Sequence, residues 1–357
     1  MPTGASPGTP LDDASLQHTC DPSGMLDAAL ALSRQIRDAW EIGRAAQVPP
    51  LPRPPAHIIV AGMGGSAIGG ELLAAALGPR LTVPFVVARD ASLPPYAGPG
   101  SVVIATSYSG ETEETLAAAA EARRLGATVL AITSGGRLPD LAGATVRVPG
   151  GLAPRAALGY LMMPALAALE RWRVVTPCGG EVEEAADILG EIGAECAPPV
   201  PTAQNPAKRL ASALAGRIPA VYAASPVVEP AARRWKCQFN ENSKTFSTWN
   251  MFPELTHNEV VGWGAPPEVR GILSAIILIE GAEPERVLRR IRITTEVALR
   301  RAAGVHEVCG RGTSRFSKLL SLVLLGDLVS IYLAYLRGVD PAPVEAIDSI
   351  KRQMREA

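Results

Sequence analysis

Residues 57–71 read His57-Ile-Ile-Val-Ala-Gly-Met-Gly-Gly-Ser-Ala-Ile-Gly-Gly-Glu71, a short apolar run that meets glycines and then a helix-like stretch. Glycines permit a tight turn and close backbone approach, and the free N–H groups at the following helix start attract an anionic phosphate. Gly62-x-Gly64-x-x-Ala67 also fits a loose dinucleotide fingerprint, and Asp90 stands where a ribose-binding acid would be expected. Alone the motif is weak, because glycines also serve plain strand–helix packing.

Residues 102–115 decide between these readings. Val102–Ala105 runs into Thr106-Ser107-Tyr108-Ser109-Gly110-Glu111-Thr112-Glu113-Glu114-Thr115, a strand that ends in hydroxyls and opens a helix with acids in its first turn. Ser107, Ser109 and Thr112 have the donors to hold a terminal phosphomonoester together with Ser66, helped by the helix dipole and without an arginine clamp. A dinucleotide site has no need of this second hydroxyl loop, and a Walker loop would need the absent Gly-Lys-Ser/Thr. The plainer alternative is that Ser109 or Thr112 merely caps the helix.

Outward from these loops, short apolar runs alternate with helical stretches. His57–Ala61, Val83–Val87, Val102–Ala105, Val129–Thr133 and Thr145–Val148 read as strands, with helices at Ala67–Ala76 and Glu113–Leu125 between them. That alternation predicts a doubly wound parallel sheet. Asp21 to Ala46 carries apolar residues at helical spacing and reads as one amphipathic helix, stopped by the prolines that begin at Pro49. A second alternation follows the proline-rich Ala197–Thr202: strands at Ile218–Ala223, Ile272–Ile279 and Val305–Val308, helices at Pro226–Cys237 and Pro284–Ala303. Leu319–Leu336 is apolar enough to span a membrane, but Asp327 in its middle favours a helix buried in protein, where the acid is paired.

Composition limits the function classes. The 357 residues allow two domains of ordinary size, and 34 basic against 35 acidic side chains leave no excess charge for a nucleic-acid partner. Five scattered cysteines encode neither a disulfide framework nor a zinc ribbon, and the opening residues hold no apolar export segment. The expectation is a cytoplasmic protein that acts on a small substrate, with no nucleic-acid or membrane partner.

The two loops resemble the phosphosugar-binding loops of sugar isomerase (SIS) domains, and more closely those of the bifunctional phosphoglucose/phosphomannose isomerase family. Pro154-Arg155, Asn240-Glu241-Asn242-Ser243-Lys244, Glu254-Leu255-Thr256-His257-Asn258-Glu259 and Asp340-Pro341-Ala342-Pro343-Val344 running to Lys351 extend the likeness in order along the chain. The resemblance implies an α/β fold of two SIS-type αβα sandwich domains, each with a mainly parallel sheet. Its limits are placed at 22–196 and 203–340, with a loose tail at 1–21 and a C-terminal helix or tail at 341–357 that completes the active site.

The function so implied is a cofactor-free, metal-free aldose–ketose isomerase that interconverts glucose 6-phosphate, mannose 6-phosphate or both with fructose 6-phosphate through a cis-enediolate; the alternatives are a non-catalytic phosphosugar-binding SIS protein and a dinucleotide-dependent oxidoreductase. Gly65, Ser66, Ser107, Ser109 and Thr112 would bind the substrate phosphate. Isomerisation needs one carboxylate that takes a proton from C2 and returns it to C1, and the resemblance gives this role to Glu241. It assigns ring opening to His257 and Lys351, and charge stabilisation on the enediolate to Arg155. Only five of the 34 basic residues are lysines, which sets Lys351 apart, because lysine can exchange a proton near neutrality and arginine cannot. In relatives the histidine comes from the partner subunit, so a homodimer with shared active sites is expected. Ala342 departs from the threonine frequent at this place in the family, a change that bears on the balance between glucose and mannose substrates.

Overall fold

The computed structural model describes residues 10–356. In chain order the helices are α1 (Ala14–Cys20), α2 (Met25–Leu30), α3 (Leu32–Ala45), α4 (Gly64–Leu77), α5 (Glu113–Arg124), α6 (Leu158–Arg171), α7 (Gly179–Glu195), α8 (Pro206–Leu214), α9 (Glu229–Glu241), α10 (Pro267–Arg270), α11 (Glu285–Val297), α12 (Arg315–Leu336) and α13 (Glu345–Glu356). The strands are β1 (His57–Ala61), β2 (Phe85–Ala88), β3 (Ser101–Thr106), β4 (Thr128–Thr133), β5 (Ala144–Arg147), β6 (Ile218–Ala223), β7 (Thr248–Met251), β8 (Leu273–Ile279) and β9 (Gly304–Cys309). They form two compact units. One comprises Ala31–Gly190 with Arg311–Ser321; the other comprises the described residues through Leu30, Glu191–Gly310 and the chain from Leu322 onward.

The first unit holds a five-stranded parallel sheet of order β2-β1-β3-β4-β5. All six residues of β3 and four of the five in β1 are buried, as expected of strands covered on both faces, which is why they read as unbroken apolar runs. The strand order reverses between β1 and β3. In open α/β sheets the crevice at the carboxyl ends of two such strands is where ligands bind, and here those ends carry the two hydroxyl loops.

The second unit repeats the topology with four parallel strands, β7-β6-β8-β9. Its most demanding contact lies between α9 and the Leu322–Leu336 part of α12. Gly326 makes this approach possible, because a Cβ there would lie 2.2 Å from the Trp235 Nε1 atom, and that indole donates to the Leu322 carbonyl at 2.8 Å. Beside it Asp327, only 5% exposed, takes a two-pronged grip from Arg234 (2.9 and 2.6 Å) and a third bond from Gln238 Nε2 at 2.8 Å. The apolar helix expected from the sequence is therefore a buried one with its acid paired.

Several expectations are corrected. The amphipathic stretch is broken at Ala31 into α2 and α3. Part of the tail expected to be loose is helical and anchored. Asp12 accepts from Thr202 N and Oγ1 (2.7 and 2.8 Å), and Asp21 accepts from Met25 N, Leu26 N (2.8 Å each) and Tyr335 OH (2.9 Å). Buried donors that need an acid hold this segment, a requirement its Pro/Gly/Ser/Thr composition conceals; residues 1–9 of the expected tail lie outside the described residues. The units part within α7, between Gly190 and Glu191, ahead of the proline-rich Ala197–Thr202. α7 buries Val182, Ala185, Ala186, Leu189 and Ile192 in helical spacing, so the helix runs unbroken through this parting and ends at Glu195, short of the proline-rich stretch.

Replacing Asp327 with leucine strands the Arg234 guanidinium in the interior and is expected to cost about 3–5 kcal/mol of stability, whereas the paired change Arg234→Met with Asp327→Leu should recover most of it. Urea denaturation midpoints of the three proteins check this.

Candidate active site

In the first unit, β1 ends at Ala61 and the chain turns through Gly62 and Met63 into α4. Gly62 has no room for a side chain, because a Cβ would lie 2.6 Å from Thr106 Oγ1 and 2.9 Å from Thr106 O at the end of β3. That close approach brings the two loops side by side, and Thr106 Oγ1 donates across to the Ser66 carbonyl at 3.2 Å. Gly64, Gly65 and Ser66 form the first turn of a fourteen-residue helix whose N-cap, Met63, supplies no side-chain bond. Its leading N–H groups are therefore not taken up by a capping side chain. Ser66 is buried, and Arg155, also buried, lies against Gly65 in the turn Pro154–Ala156; a Cβ on Gly65 would stand 3.2 Å from Arg155 Cα.

The second loop is tied to itself. Ser107 Oγ and Thr112 Oγ1 are 2.9 Å apart, Gly110 N donates to Ser107 Oγ at 3.1 Å, and Glu111 N donates to Ser109 Oγ at 3.2 Å. Thr112 occupies the N-cap position of α5, yet its side chain makes no cap bond. Its hydroxyl points to Ser107 instead, so helix capping does not account for this threonine. Arg137 anchors the loop through Glu111, donating from N and Nε at 2.8 Å each, and this bonding holds the Glu111 carboxyl below its ordinary value. Asp90, the ribose partner of the dinucleotide reading, accepts Ala91 N at 2.6 Å in a local turn.

In the second unit, Glu241 is the last residue of α9 and half-buried. It lines a cavity of about 620 Å³ with Asn240, Lys244, Asp340 and the first residues of α13. The turn after it is rigid. Lys244 takes a left-handed backbone (φ 50°), and its ammonium donates to the carbonyls of Glu241 (2.9 Å), Asn242 (3.3 Å) and Asp340 (2.6 Å). Asn242, wholly buried, donates to Ser330 Oγ at 2.9 Å, and Asn240 Oδ1 accepts Ser247 N at 3.1 Å. The asparagines of the Asn-Glu-Asn segment thus fix the backbone on either side of Glu241. Asp340 Oδ1 accepts the Ala342 N–H at 2.8 Å, a bond that is independent of the residue's side chain.

His257 and Lys351 are both exposed, and neither lines the cavity of Glu241. His257 ends the turn Glu254–His257, and Lys351 lies on α13 beside the exposed Ile347, Ile350 and Met354. The structure therefore brings together Gly65, Ser66 and Arg155 with the Ser107–Thr112 loop in one unit, and Glu241 with Asp340 and Lys244 in the other. Lys244 was passed over in the sequence reading, although the scarcity of lysine that singled out Lys351 applies to it equally.

Two parallel sheets of matching order, with hydroxyl-bearing loops at the strand-order reversal of the first, define a SIS-domain protein of the phosphosugar class. Residues 53–148 match the SIS domain and residues 203–354 the bacterial phospho-glucose isomerase C-terminal SIS domain. The chain is 38% identical to the bifunctional phosphoglucose/phosphomannose isomerase of Caldicellulosiruptor bescii over 93% of its own length and 99% of that protein's. It is 36% identical to the protein of the same name from Thermoplasma acidophilum, with 84% of this chain and 89% of the relative aligned. The C-terminal domain of glucosamine-fructose-6-phosphate aminotransferase from Francisella tularensis shares the fold at a TM-score of 0.70 and 14% identity, covering 89% of this chain and 98% of that one. The chain belongs to the bifunctional phosphoglucose/phosphomannose isomerase family, and it is an isomerase.

Proposed function

We propose that this protein interconverts both glucose 6-phosphate and mannose 6-phosphate with fructose 6-phosphate, using side chains alone and a cis-enediolate intermediate. The observation that carries the reading is the cross-linked pair of loops at the carboxyl ends of β1 and β3, with helix N-termini, three serines and a threonine gathered for a dianionic phosphate. Phosphate is bound by Gly65, Ser66, Ser107, Ser109 and Thr112. His257 and Lys351 open the ring by moving the O1 proton out and supplying one to O5. Glu241 takes the C2 proton and returns it to C1, and Arg155 stabilises the enediolate charge.

Support for Glu241 is its half-buried place on a cavity large enough for a small ligand, its backbone clamped by the bonds of Asn242 and Lys244. A base must return the proton it takes, so it must not wander between the two transfers. Glucose 6-phosphate and mannose 6-phosphate differ only at C2. Rotation about C2–C3 presents either epimer to the same carboxylate, and both yield one enediolate. The five cysteines are all free, three of them buried, in keeping with work in the reducing cytoplasm.

The test is to assay the purified chain on both aldose phosphates in parallel, with EDTA present to exclude a contaminating metal-dependent mannose isomerase. Both substrates should turn over, Glu241→Gln should abolish both together, and Ser107→Ala should raise KM more than it lowers kcat, because a remote phosphate contact is mostly uniform binding. Equal turnover of glucose and glucose 6-phosphate would remove the phosphate-loop reading.

The active form is proposed to be a homodimer in which His257 serves the partner's site. Its support is the exposure of His257 on an otherwise tied-down turn, together with the apolar stripe Ile347, Ile350 and Met354 left exposed on α13. Mixing Glu241→Gln subunits with His257→Ala subunits should raise turnover of closed-ring substrate above that of either variant alone, since a mixed dimer holds one site with both native residues. Absence of recovery after demonstrated subunit exchange refutes the sharing.

A further inference from the structure

The turn that presents His257 is held by a grip that begins in the sheet. Tyr222 on β6 and Asn250 on β7 are register partners in the parallel ladder, so their side chains stand next to each other on one face. Both reach the same carboxylate: Tyr222 OH donates to Glu259 Oε1 at 2.5 Å and Asn250 Nδ2 to Glu259 Oε2 at 2.6 Å. Trp263 Nε1 donates in turn to Tyr222 OH at 3.0 Å, and the Asn250 amide oxygen accepts Met251 N at 2.8 Å, which fixes which way that amide faces.

Glu259 is two residues from His257, and the intervening Asn258 binds on both sides of the histidine. Its Oδ1 accepts Glu259 N at 2.6 Å, and its Nδ2 donates to Glu254 Oε1 at 2.8 Å. Thr256 donates to the Pro253 carbonyl at 2.6 Å and accepts from Arg290 at 2.9 Å. Glu254, Thr256, Asn258 and Glu259 are all tied down, while the imidazole between them is exposed. Such bonding is more than an exposed surface loop needs. It is what a side chain that must be held at a fixed angle without contacts of its own requires, because a displacement of the order of 1 Å at a proton-transfer group costs about a hundredfold in rate.

We propose that Glu259, gripped by Tyr222 and Asn250, is the positioning residue for His257 and acts on ring opening alone. The inference rests on the ring-opening role given to His257 above. Burial, reinforced by the charge and the bond of Glu259, pushes the Tyr222 phenol upward, so it remains a donor throughout the working pH range. With both oxygens engaged, Glu259 is committed to this grip and is not a second proton-transfer base.

The experiment compares two ketoses. Fructose 6-phosphate is mostly a closed ring in solution. 5-Deoxyfructose 6-phosphate lacks the 5-hydroxyl needed for a furanose and has its 6-oxygen phosphorylated, so it stays open. Exchange of the C1 hydrogen with deuterated solvent, followed by NMR, reports enediolate formation on each. Asn250→Ala and His257→Ala should each slow exchange on fructose 6-phosphate by about 10–100-fold and on the open ketose by less than about 3-fold. Glu259→Gln keeps the shape of the grip but accepts through one atom only, and Tyr222→Phe removes one donor; each cuts one arm, so both should lie between the native enzyme and Glu259→Ala on fructose 6-phosphate.

Equal losses on both ketoses for Asn250→Ala, or no loss on either, overturn the proposal. If His257→Ala separates the substrates and the grip variants do not, the positioning role alone fails. If His257→Ala slows both equally, the ring-opening reading of the histidine fails and the proposal falls with it. Should Asn250→Ala not fold, Tyr222→Phe compared on the two ketoses decides in the same way.

Discussion

The parallel pairing of β1 with β3 is the constraint from which the first unit's chemistry follows. The register sets Ala61 against Ala105, and the next step of each strand, Gly62 and Thr106, leaves no space for a Cβ between them. With the strands so close at their carboxyl ends, their two loops cannot diverge. Ser66 and Thr106 are therefore held together for reasons of sheet geometry, and Arg155 joins them because Gly65 lets its backbone approach. The proposed phosphate site, assembled from backbone N–H groups and hydroxyls, needs this rigidity, since each donor contributes little and their value lies in pointing at one place.

The second unit solves a different problem, that of fixing a carboxylate at a helix end, where helices ordinarily fray. Arg234, Gln238 and Asn242 recur at intervals of four along and just beyond α9, on one face. The first two close on Asp327 and the third on Ser330, whose own hydroxyl donates to the Asp327 carbonyl at 2.7 Å. The polar groups buried in this packed helix pair thus do more than satisfy one another. They extend the order of the core to the residue next to Glu241, and Lys244 completes the turn from the other side. The network that stabilises the helix pair also orders the residue beside the proposed base, and it accounts for an acid in the middle of a long apolar helix.

Much of this was legible in the sequence where burial and residue type coincide. The core strands announce themselves because both faces are covered, and the hydroxyl loops because serine, threonine and glycine cluster directly after two of them. β7 was not legible: Thr248-Trp-Asn-Met251 is a partly exposed edge strand of mixed character with no periodic signal. The break at Ala31 was hidden, because alanine carries no mark of a helix end. Tertiary bonding supplies the rest. No local pattern tells that Asp12 meets Thr202, that the hydroxyl of Thr112 turns to Ser107 instead of capping its helix, or that Tyr222 and Asn250 converge on Glu259 from different strands. Glu241, His257 and Lys351 were singled out by resemblance, since nothing in their spacing distinguishes them from solvated turn and helix residues.

The central claim is that one carboxylate, Glu241, handles the proton for both epimers while His257 acts only before that step. Exchange of the C2 hydrogen of glucose 6-phosphate with deuterated solvent measures proton abstraction directly. The account predicts that Glu241→Gln loses this exchange by about 10²–10⁴-fold, the range for removal of a positioned base, whereas His257→Ala still exchanges through the open-chain fraction already present in solution. Exchange at the native rate in Glu241→Gln would contradict the account.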